Sequence, residues 1–110
     1  MTDTSFSFRA GELLEIILER MESLEVLEDL DMDLIDGVLT VEFPDEAQMI
    51  INRQSSTQQI WLASPKGPAH FSFDETMSEW IDDKTGVGLR DTLNEVLSVK
   101  VKASIVLDAF

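Results

Sequence analysis

The sequence predicts an α+β fold, a two-layer sandwich in which the N- and C-terminal helices pack on one face of an antiparallel sheet of about five or six strands. Apolar residues recur at helical spacing near both ends of the chain, and between them short segments alternate apolar with polar residues. Asp-Gly and proline-containing turns separate these segments. Helices that flank a run of short strands favour this architecture. The 110 residues suit one domain, residues 1–110.

The first helix is predicted over about residues 7–28. Its apolar residues share one face because they lie three or four positions apart: Leu13, Leu14, Ile17, Leu18, Met21, Leu24 and Leu27. Glutamates cover the opposite face at the same spacing: Glu12, Glu15, Glu19, Glu22, Glu25 and Glu28. A solvated helix face is the ordinary interpretation of such a pattern. Here only Arg20 interrupts the glutamates, and the lack of interleaved lysines favours a functional interpretation.

An acidic segment follows this helix. Asp29, Asp31 and Asp33 alternate with apolar residues, which predicts an extended segment with its carboxylates on one side. The spacing resembles an EF-hand loop, but Leu34 replaces its glycine and Thr40 replaces its glutamate, so that motif fails. Oxygen donors without histidine or cysteine suit iron, manganese, calcium or magnesium better than zinc or copper. Exposed carboxylates outside a closed cage should bind such ions weakly.

The central strands are predicted at residues 38–43, 49–53, 58–64, 70–73 and 77–82. The dipeptide Asp36-Gly37 signals a hairpin turn before the first of them. Two prolines, Pro65 and Pro68, break the chain after the third. Alternation within 70–73 predicts inward phenylalanines and an exposed His70.

Trp61 stands out within these strands. Alternation in 58–64 turns Ile60 and Leu62 inward and leaves Trp61 on the outer face, with Asn52 and Arg53 on the neighbouring strand within reach. A large aromatic ring on a polar sheet face is a candidate partner contact. The alternative is a structural ring, half-buried by neighbouring side chains. Mutation to alanine separates the two interpretations by its effect on stability.

A second amphipathic helix is predicted over residues 89–98. Its apolar face contains Leu89, Leu93, Val96 and Leu97. The apolar tail at 99–110 is expected to pack against the helices.

Composition excludes several function classes. The net charge is −14, and residues 1–46 contribute −12 of it through 14 acids and two bases. A concentrated negative surface repels phosphate backbones and attracts cations or basic proteins, so nucleic acid is a poor partner. The chain has no cysteine and one histidine, His70, which leaves no thiolate nucleophile and no histidine metal triad. No apolar run is long enough to span a bilayer, and no signal peptide is predicted.

These features together resemble the frataxin family over almost the whole chain. The resemblance rests on the acidic first helix, the Gly-led second helix and five motifs: Asp36-Gly37-Val38-Leu39-Thr40-Val41, Ile51-Asn52-Arg53-Gln54, Gln59-Ile60-Trp61-Leu62-Ala63-Ser64-Pro65, Gly67-Pro68 and Glu79-Trp80. Frataxins fold as a sandwich of two helices on an antiparallel sheet, in agreement with the fold predicted above.

The resemblance implies that the acidic residues bind iron weakly, as Fe2+ or Fe3+, and dock the basic face of a cysteine desulfurase. No organic cofactor is implied. Eight residues match this surface, called the acidic ridge below: Glu15, Glu19, Glu22, Glu25, Glu28, Asp29, Asp31 and Asp33. The turn at Asp45 and Glu46 is expected to extend the acidic edge.

The resemblance also implies that the sheet surface contacts the iron–sulfur scaffold protein. The matching residues are Asn52, Gln54, Gln59 and Trp61, and the predicted partner-binding set adds Arg53 and His70. Mitochondrial members have an arginine at the position of His70.

The resemblance therefore implies an iron-binding accessory protein of iron–sulfur cluster assembly, which modulates sulfur transfer and delivers iron. We expect a monomer that can oligomerise with iron. A ferroxidase that oxidises Fe(II) on the acidic ridge is the enzyme-class alternative, and a generic acidic interaction domain is a third. The short first hairpin and His70 resemble bacterial members, which act in the cytoplasm. The Ser64-Pro65 and Gly67-Pro68 motifs and the apolar tail resemble mitochondrial members, which act in the matrix.

Overall fold

The computed structural model describes residues 3–110, with side chains from Phe6 onward. Two α-helices, six strands and a short 3₁₀ helix occur within these residues. In chain order they are α1 (Asp3–Glu22), the 3₁₀ helix (Glu25–Leu27), β1 (Asp31–Ile35), β2 (Val38–Glu42), β3 (Gln48–Gln54), β4 (Gln59–Ser64), β5 (Gly67–Asp74), β6 (Glu79–Asp82) and α2 (Leu89–Val101).

The six strands form one antiparallel meander in which spatial order follows chain order, β1 to β6. Short connections of two to five residues explain this order, because they are too short for the crossover that parallel strands need. Ile35 pairs with Val38, so Asp36 and Gly37 alone form the first turn. Both have positive φ, 51° and 77°, which is the geometry of a type I′ turn and matches the right-handed twist of the strands.

Both helices lie on one face of the sheet. Helix α1 contacts β1, β2 and β3, while α2 contacts β6. Every second residue of the strands points toward the helices, and these strand residues form the sheet side of the core. Its fully buried residues include Leu14, Ile17, Met21, Leu39, Ile51, Ile60, Phe71, Leu93 and Leu97. The predicted α+β sandwich is confirmed, as are the inward positions of Ile60 and Leu62.

The predicted end of the first helix is wrong. Helix α1 ends at Glu22, and Leu24 has extended backbone angles, φ −98° and ψ 116°. The Ser23 hydroxyl donates to the Arg20 carbonyl at 2.7 Å, so a side chain satisfies one of the carbonyl groups in the last turn of the helix. The apolar spacing did not distinguish a continued α-helix from a 3₁₀ helix, because a 3₁₀ helix also brings every third residue to one side. Leu27 is consequently fully buried although the α-helix has already ended.

The remaining differences concern element boundaries. Strand β5 begins at Gly67, so Pro68 lies within a strand, opposite Ala63. Helix α2 continues to Val101, and Lys102 closes it in the left-handed conformation with φ 56°. The tail packs against α2 as expected: Ile105 and Leu107 are buried, and their backbone N–H groups donate to the side chains of Ser98 and Asn94.

Candidate functional site

The acidic ridge begins on the outer side of α1. Glu15, Glu19 and Glu22 are exposed there, opposite the apolar face that packs on the sheet. Glu25 and Glu28 are exposed as well, but they belong to the 3₁₀ helix and the residue after it. The ridge is therefore not one helix face. Its five glutamates follow a change of chain direction from α1 toward the sheet edge.

The three aspartates continue the ridge around the edge of the sheet. Strand β1 alternates exposed and half-buried residues, and Asp31 and Asp33 are among the exposed ones. They face away from the helices because Met32 and Leu34 pair with Val41 and Leu39, which are buried on the helix side. Asp29 is exposed in the turn before the strand. The predicted extended segment with carboxylates on one side is confirmed for β1.

Like charges meet directly at this edge. Asp31 lies opposite Glu42 in the register of β1 and β2, and both are exposed. Like charges at directly opposed positions of a sheet destabilise it. Local packing therefore does not explain the acidic side chains of this edge, and the cost is consistent with a binding surface.

Three ridge residues line one shallow cleft. Glu22, Glu28 and Asp31 surround a space of about 410 Å³ between the 3₁₀ helix and β1, with Leu27, Leu30 and Met32 as its apolar lining. Among the side chains described, however, no three acidic or histidine residues converge as ligands of a single metal ion. The ridge is an open array of separate carboxylates. Such an array attracts cations by its summed field and holds them less tightly than a cage of ligands would.

The sheet face away from the helices is called the open face. Pairing registers place Val38, Asn52, Trp61 and His70 side by side across β2, β3, β4 and β5. Ile35 extends this row at the β1 edge and is 58% exposed. The row connects the acidic edge with the tryptophan, so ridge and aromatic ring belong to adjoining surfaces.

Trp61 is half-buried on the open face, and two neighbours hold it. Its ring stacks on His70 with 4.3 Å between centroids and 14° between planes. Its indole N–H donates to the side-chain oxygen of Gln59 at 2.9 Å. His70 itself is exposed, as predicted. The half-buried state agrees with the structural interpretation of this ring, but the residues that cover it belong to the predicted partner surface.

Five of the six predicted partner residues lie together on the open face. Gln54 pairs with Gln59, and Asn52 pairs with Trp61, in the register of β3 and β4. His70 completes the set on β5. These five residues are called the Trp61 surface below.

Arg53 does not join them, and the expectation that it lies within reach of Trp61 is wrong. It pairs with the buried Ile60, which places it on the helix side of the sheet. Its guanidinium donates to the Ser7 carbonyl at 3.4 Å. Strand alternation from Ile51 contains this information, since residues two apart share a face.

Two further residues of the open face, Ser72 and Asp83, were not predicted from the sequence. Ser72 donates to a carboxylate oxygen of Asp83 at 2.9 Å, and both accept from the side-chain amide of Gln59. Alternation from His70 would have placed Ser72 on this face. No local signal marks Asp83, because it follows the last strand and reaches the face only through the antiparallel pairing of β5 and β6.

Asp45 does not simply extend the acidic edge. Its carboxylate accepts a hydrogen bond from the Lys100 ammonium, which lowers the pKa of Asp45, and the Ala47 N–H lowers it further. The adjacent charge of Lys100 offsets the negative charge at this turn. The field of the ridge is therefore concentrated at α1, the 3₁₀ helix and β1.

Within residues 3–110, no helix has both the length and the apolar character needed to cross a membrane.

Comparison with known proteins supplies the family. The frataxin-like domain model matches residues 1–103. The iron–sulfur cluster assembly protein CyaY of Thioalkalivibrio sulfidiphilus is 57% identical over 98 residues, which cover 89% of this chain and 92% of the relative.

Two solved structures share the fold. Frataxin from Psychromonas ingrahamii superposes with a TM-score of 0.87 at 30% identity, covering 99% of this chain and all of its own. Trimeric frataxin from Saccharomyces cerevisiae, complexed with ferrous iron, superposes with a TM-score of 0.74 at 35% identity and covers 84% of this chain and 85% of its own. With its sandwich of two helices on a six-stranded meander, this chain belongs to the frataxin family.

Proposed function

We propose that this protein is an iron-binding accessory protein of iron–sulfur cluster assembly, which binds a cysteine desulfurase–scaffold complex and modulates sulfur transfer. The observation that carries the proposal is that two dissimilar surfaces adjoin on one molecule. The acidic ridge turns around the β1 edge onto the open face, where the row from Ile35 leads to Trp61. A relative 57% identical to this chain is named an iron–sulfur cluster assembly protein.

The acidic ridge supplies the electrostatic half of this binding. Its eight carboxylates are all exposed, and only Arg20, beside Glu19 at 3.2 Å, forms an ion pair within it among the residues described. An exposed field of one sign accelerates encounter with a basic partner surface and fixes the orientation of the complex. The desulfurase is the partner that we assign to this surface.

Iron is cargo for the same surface. Oxygen donors suit Fe2+ and Fe3+, and the carboxylates of Glu22, Glu28 and Asp31 line one cleft. Because they do not converge as a cage, we expect weak binding that salt and calcium reduce. Weak binding is suited to delivery, since tightly held iron would not be released.

The Trp61 surface supplies the specific half, and we assign the scaffold protein to it. A stacked, hydrogen-bonded ring presents a large contact area without first having to lose rotational freedom. Asn52 beside it offers amide donors and acceptors to a partner backbone. Partner binding would thus rest on one aromatic anchor and a charged edge.

Desulfurase turnover with the scaffold present tests this function. The rate is measured with and without this protein, in the presence and absence of Fe(II). We expect a saturable change in rate that is lost in Trp61→Ala and in the triple variant Glu22→Gln/Asp29→Asn/Asp31→Asn. The matched control is Glu75→Gln/Glu79→Gln/Asp108→Asn, which removes three exposed acids outside the ridge. An unchanged rate together with no complex in gel filtration would overturn the proposal.

Ferroxidation is a second candidate, favoured by the structure of yeast frataxin with ferrous iron at 35% identity. In this reaction the ridge carboxylates would hold Fe(II) while oxygen oxidises it. Oxygen consumption and ferric absorbance, measured without any partner, distinguish it from regulation. The ridge triple variant would slow this oxidation, whereas Trp61→Ala would leave it unchanged.

We further propose that the protein acts in the bacterial cytoplasm, as a single domain over residues 1–110. The bacterial origin of the 57% identical relative supports this compartment. We expect a monomer without iron, and sedimentation with added Fe(II) tests for oligomers.

A further inference from the structure

We propose that Asp83 is a positioning residue for Trp61: through Gln59 it sets the orientation of the indole ring on the open face. The role of Trp61 in docking rests on the function proposed above, whereas the positioning itself does not. Asp83 lies 22 residues along the chain from Trp61. The side chain of Gln59 connects the two, because it forms a hydrogen bond with each of them.

The chain of hydrogen bonds has only one possible direction. An ionised carboxylate can only accept, and an indole N–H can only donate. Gln59 lies between them and has one end of each kind. Its amide N–H donates to Asp83, and therefore its oxygen faces Trp61 and accepts from the indole at 2.9 Å. Without the carboxylate, the amide could turn its N–H toward the indole, and two donors would then face each other.

Ser72 closes a ring with these two residues. The second amide N–H of Gln59 donates to the Ser72 hydroxyl oxygen at 3.2 Å, and that hydroxyl donates to the other carboxylate oxygen of Asp83 at 2.9 Å. Both amide hydrogens and the hydroxyl hydrogen therefore have acceptors. A fully satisfied ring of this kind has a single arrangement, so it restrains the Gln59 side chain on two sides.

The neighbouring turn does not depend on the Asp83 side chain. Asp82 caps that turn by accepting the backbone N–H groups of Lys84 at 2.7 Å and Thr85 at 3.1 Å. The backbone N–H of Asp83 donates to the His70 carbonyl at 3.1 Å, which a side-chain substitution leaves intact. The exposed carboxylate can thus be removed while the fold is retained.

Two restraints consequently act on the tryptophan. His70 covers one face of the ring, and the amide of Gln59 fixes its N–H edge. A ring held in both ways has little rotational freedom left to lose when a partner binds. Asp83 would therefore act on affinity through the orientation of Trp61.

The indole N–H signal of Trp61 tests the proposal without any partner. The chain has two tryptophans, so its proton–nitrogen correlation spectrum contains two indole signals. Trp61→Phe identifies the relevant one, and the buried Trp80 supplies an internal reference. In Asp83→Ala we expect the Trp61 signal to move toward the position of a free indole and to exchange faster with water. The Trp80 signal should not change.

Further variants separate positioning from loss of charge. Asp83→Asn keeps one acceptor for Gln59 and should recover part of the wild-type signal. Ser72→Ala opens the ring without changing charge and should move the Trp61 signal in the same direction as Asp83→Ala. Glu75→Gln removes an exposed charge in the β5–β6 turn, outside this ring, and should have no effect. An unchanged Trp61 signal in folded Asp83→Ala would overturn the proposal.

Binding to the scaffold gives the second readout. We expect Asp83→Ala to weaken it by roughly three- to tenfold, the value of one ordinary hydrogen bond, with Glu75→Gln unchanged. Failure of the wild-type protein to bind the scaffold would overturn the proposed function. Positioning would still be supported in that case by a Trp61 signal that responds to Asp83→Ala and not to Glu75→Gln.

Discussion

The side chain of Arg53 passes directly over Gly37. A Cβ atom on Gly37 would lie 2.6 Å from Arg53 Nε and 3.2 Å from its Cδ and Cζ. From there the guanidinium reaches the Ser7 carbonyl, so the arginine connects the first hairpin turn with α1. The turn needs glycine for this close approach and for its positive φ of 77°.

Gly37→Ala is expected to lower the free energy of unfolding by about 2 to 4 kcal/mol, from a left-handed alanine plus the clash with Arg53. Urea denaturation measures this loss. Gly86→Ala is a matched control, because Gly86 has the same φ of 77° with nothing within 4 Å of its Cβ position. It should cost only about 1 to 2 kcal/mol. Equal losses of stability in both variants would show that the Arg53 side chain can move away from the new Cβ at no cost in free energy.

Trp61→Ala is expected to lower the free energy of unfolding by about 1 to 3 kcal/mol, because the half-buried ring loses one stack and one hydrogen bond of about 0.5 to 1.5 kcal/mol each. Scaffold affinity should fall by more than about tenfold if the ring is an anchor.

Trp80→Ala is the control for loss of a buried tryptophan. Trp80 is 5% exposed and packs against Phe6 and Phe73, so its removal should cost about 3 to 5 kcal/mol. Thermal unfolding and calorimetric titration measure the two effects, and a comparable loss of stability in both variants would support the structural interpretation of Trp61.

The triple variant Glu22→Gln/Asp29→Asn/Asp31→Asn should be more stable than the wild type by about 1 kcal/mol, since it removes repulsion that includes the Asp31–Glu42 pair. Salt should raise the unfolding temperature of the wild type more than that of the variant, because screening acts on the same repulsion. Differential scanning calorimetry at low and high salt measures both. The control Glu75→Gln/Glu79→Gln/Asp108→Asn also removes one directly opposed like-charge pair, Asp74–Glu79, and should still gain less because its other two acids lie outside the ridge. A destabilised ridge variant would mean that these carboxylates stabilise the fold.

The Asp45–Lys100 pair should contribute to stability only above the acid range. Lys100 lowers the pKa of Asp45 in the folded protein below its ordinary value of 3.8. The contribution is therefore present above that value and is lost as pH falls through the folded pKa. Thermal unfolding of wild type and Asp45→Asn across this range should give a difference at neutral pH that disappears in acid. A difference that persisted in acid would show that it does not arise from the charge of Asp45, since the asparagine oxygen can still accept from the Ala47 N–H.

Periodicity in the sequence was sufficient to predict the fold and the side of the sheet on which Trp61 lies. Burial is decided residue by residue along a strand, so Ile60 and Leu62 inward imply Trp61 outward whatever the rest of the chain does. For the same reason Asp31 and Asp33 face away from the core. The same reasoning would also have placed Arg53 on the helix side had the alternation been continued from Ile51.

The end of α1 could not be predicted from the apolar spacing. A spacing of three apolar residues fits an α-helix and a 3₁₀ helix alike, and the chain changes from one to the other so that Leu27 reaches the core. The direction of the turn into β1 decides between them, and that direction depends on where the sheet lies.

The sequence by itself thus determined the layers, the acidic character of the edge and the outward tryptophan, because each depends on the order of apolar and polar residues within a few positions. Only the tertiary structure decided which side chains meet. Ser72 and Asp83 join Gln59 and Trp61 because the pairing of β4, β5 and β6 brings together residues up to 24 positions apart. Arg53 meets Gly37 and Ser7 for the same reason: local alternation gives the side of the sheet on which Arg53 lies, but these contacts join residues far apart in the chain and depend on strand pairing and helix packing.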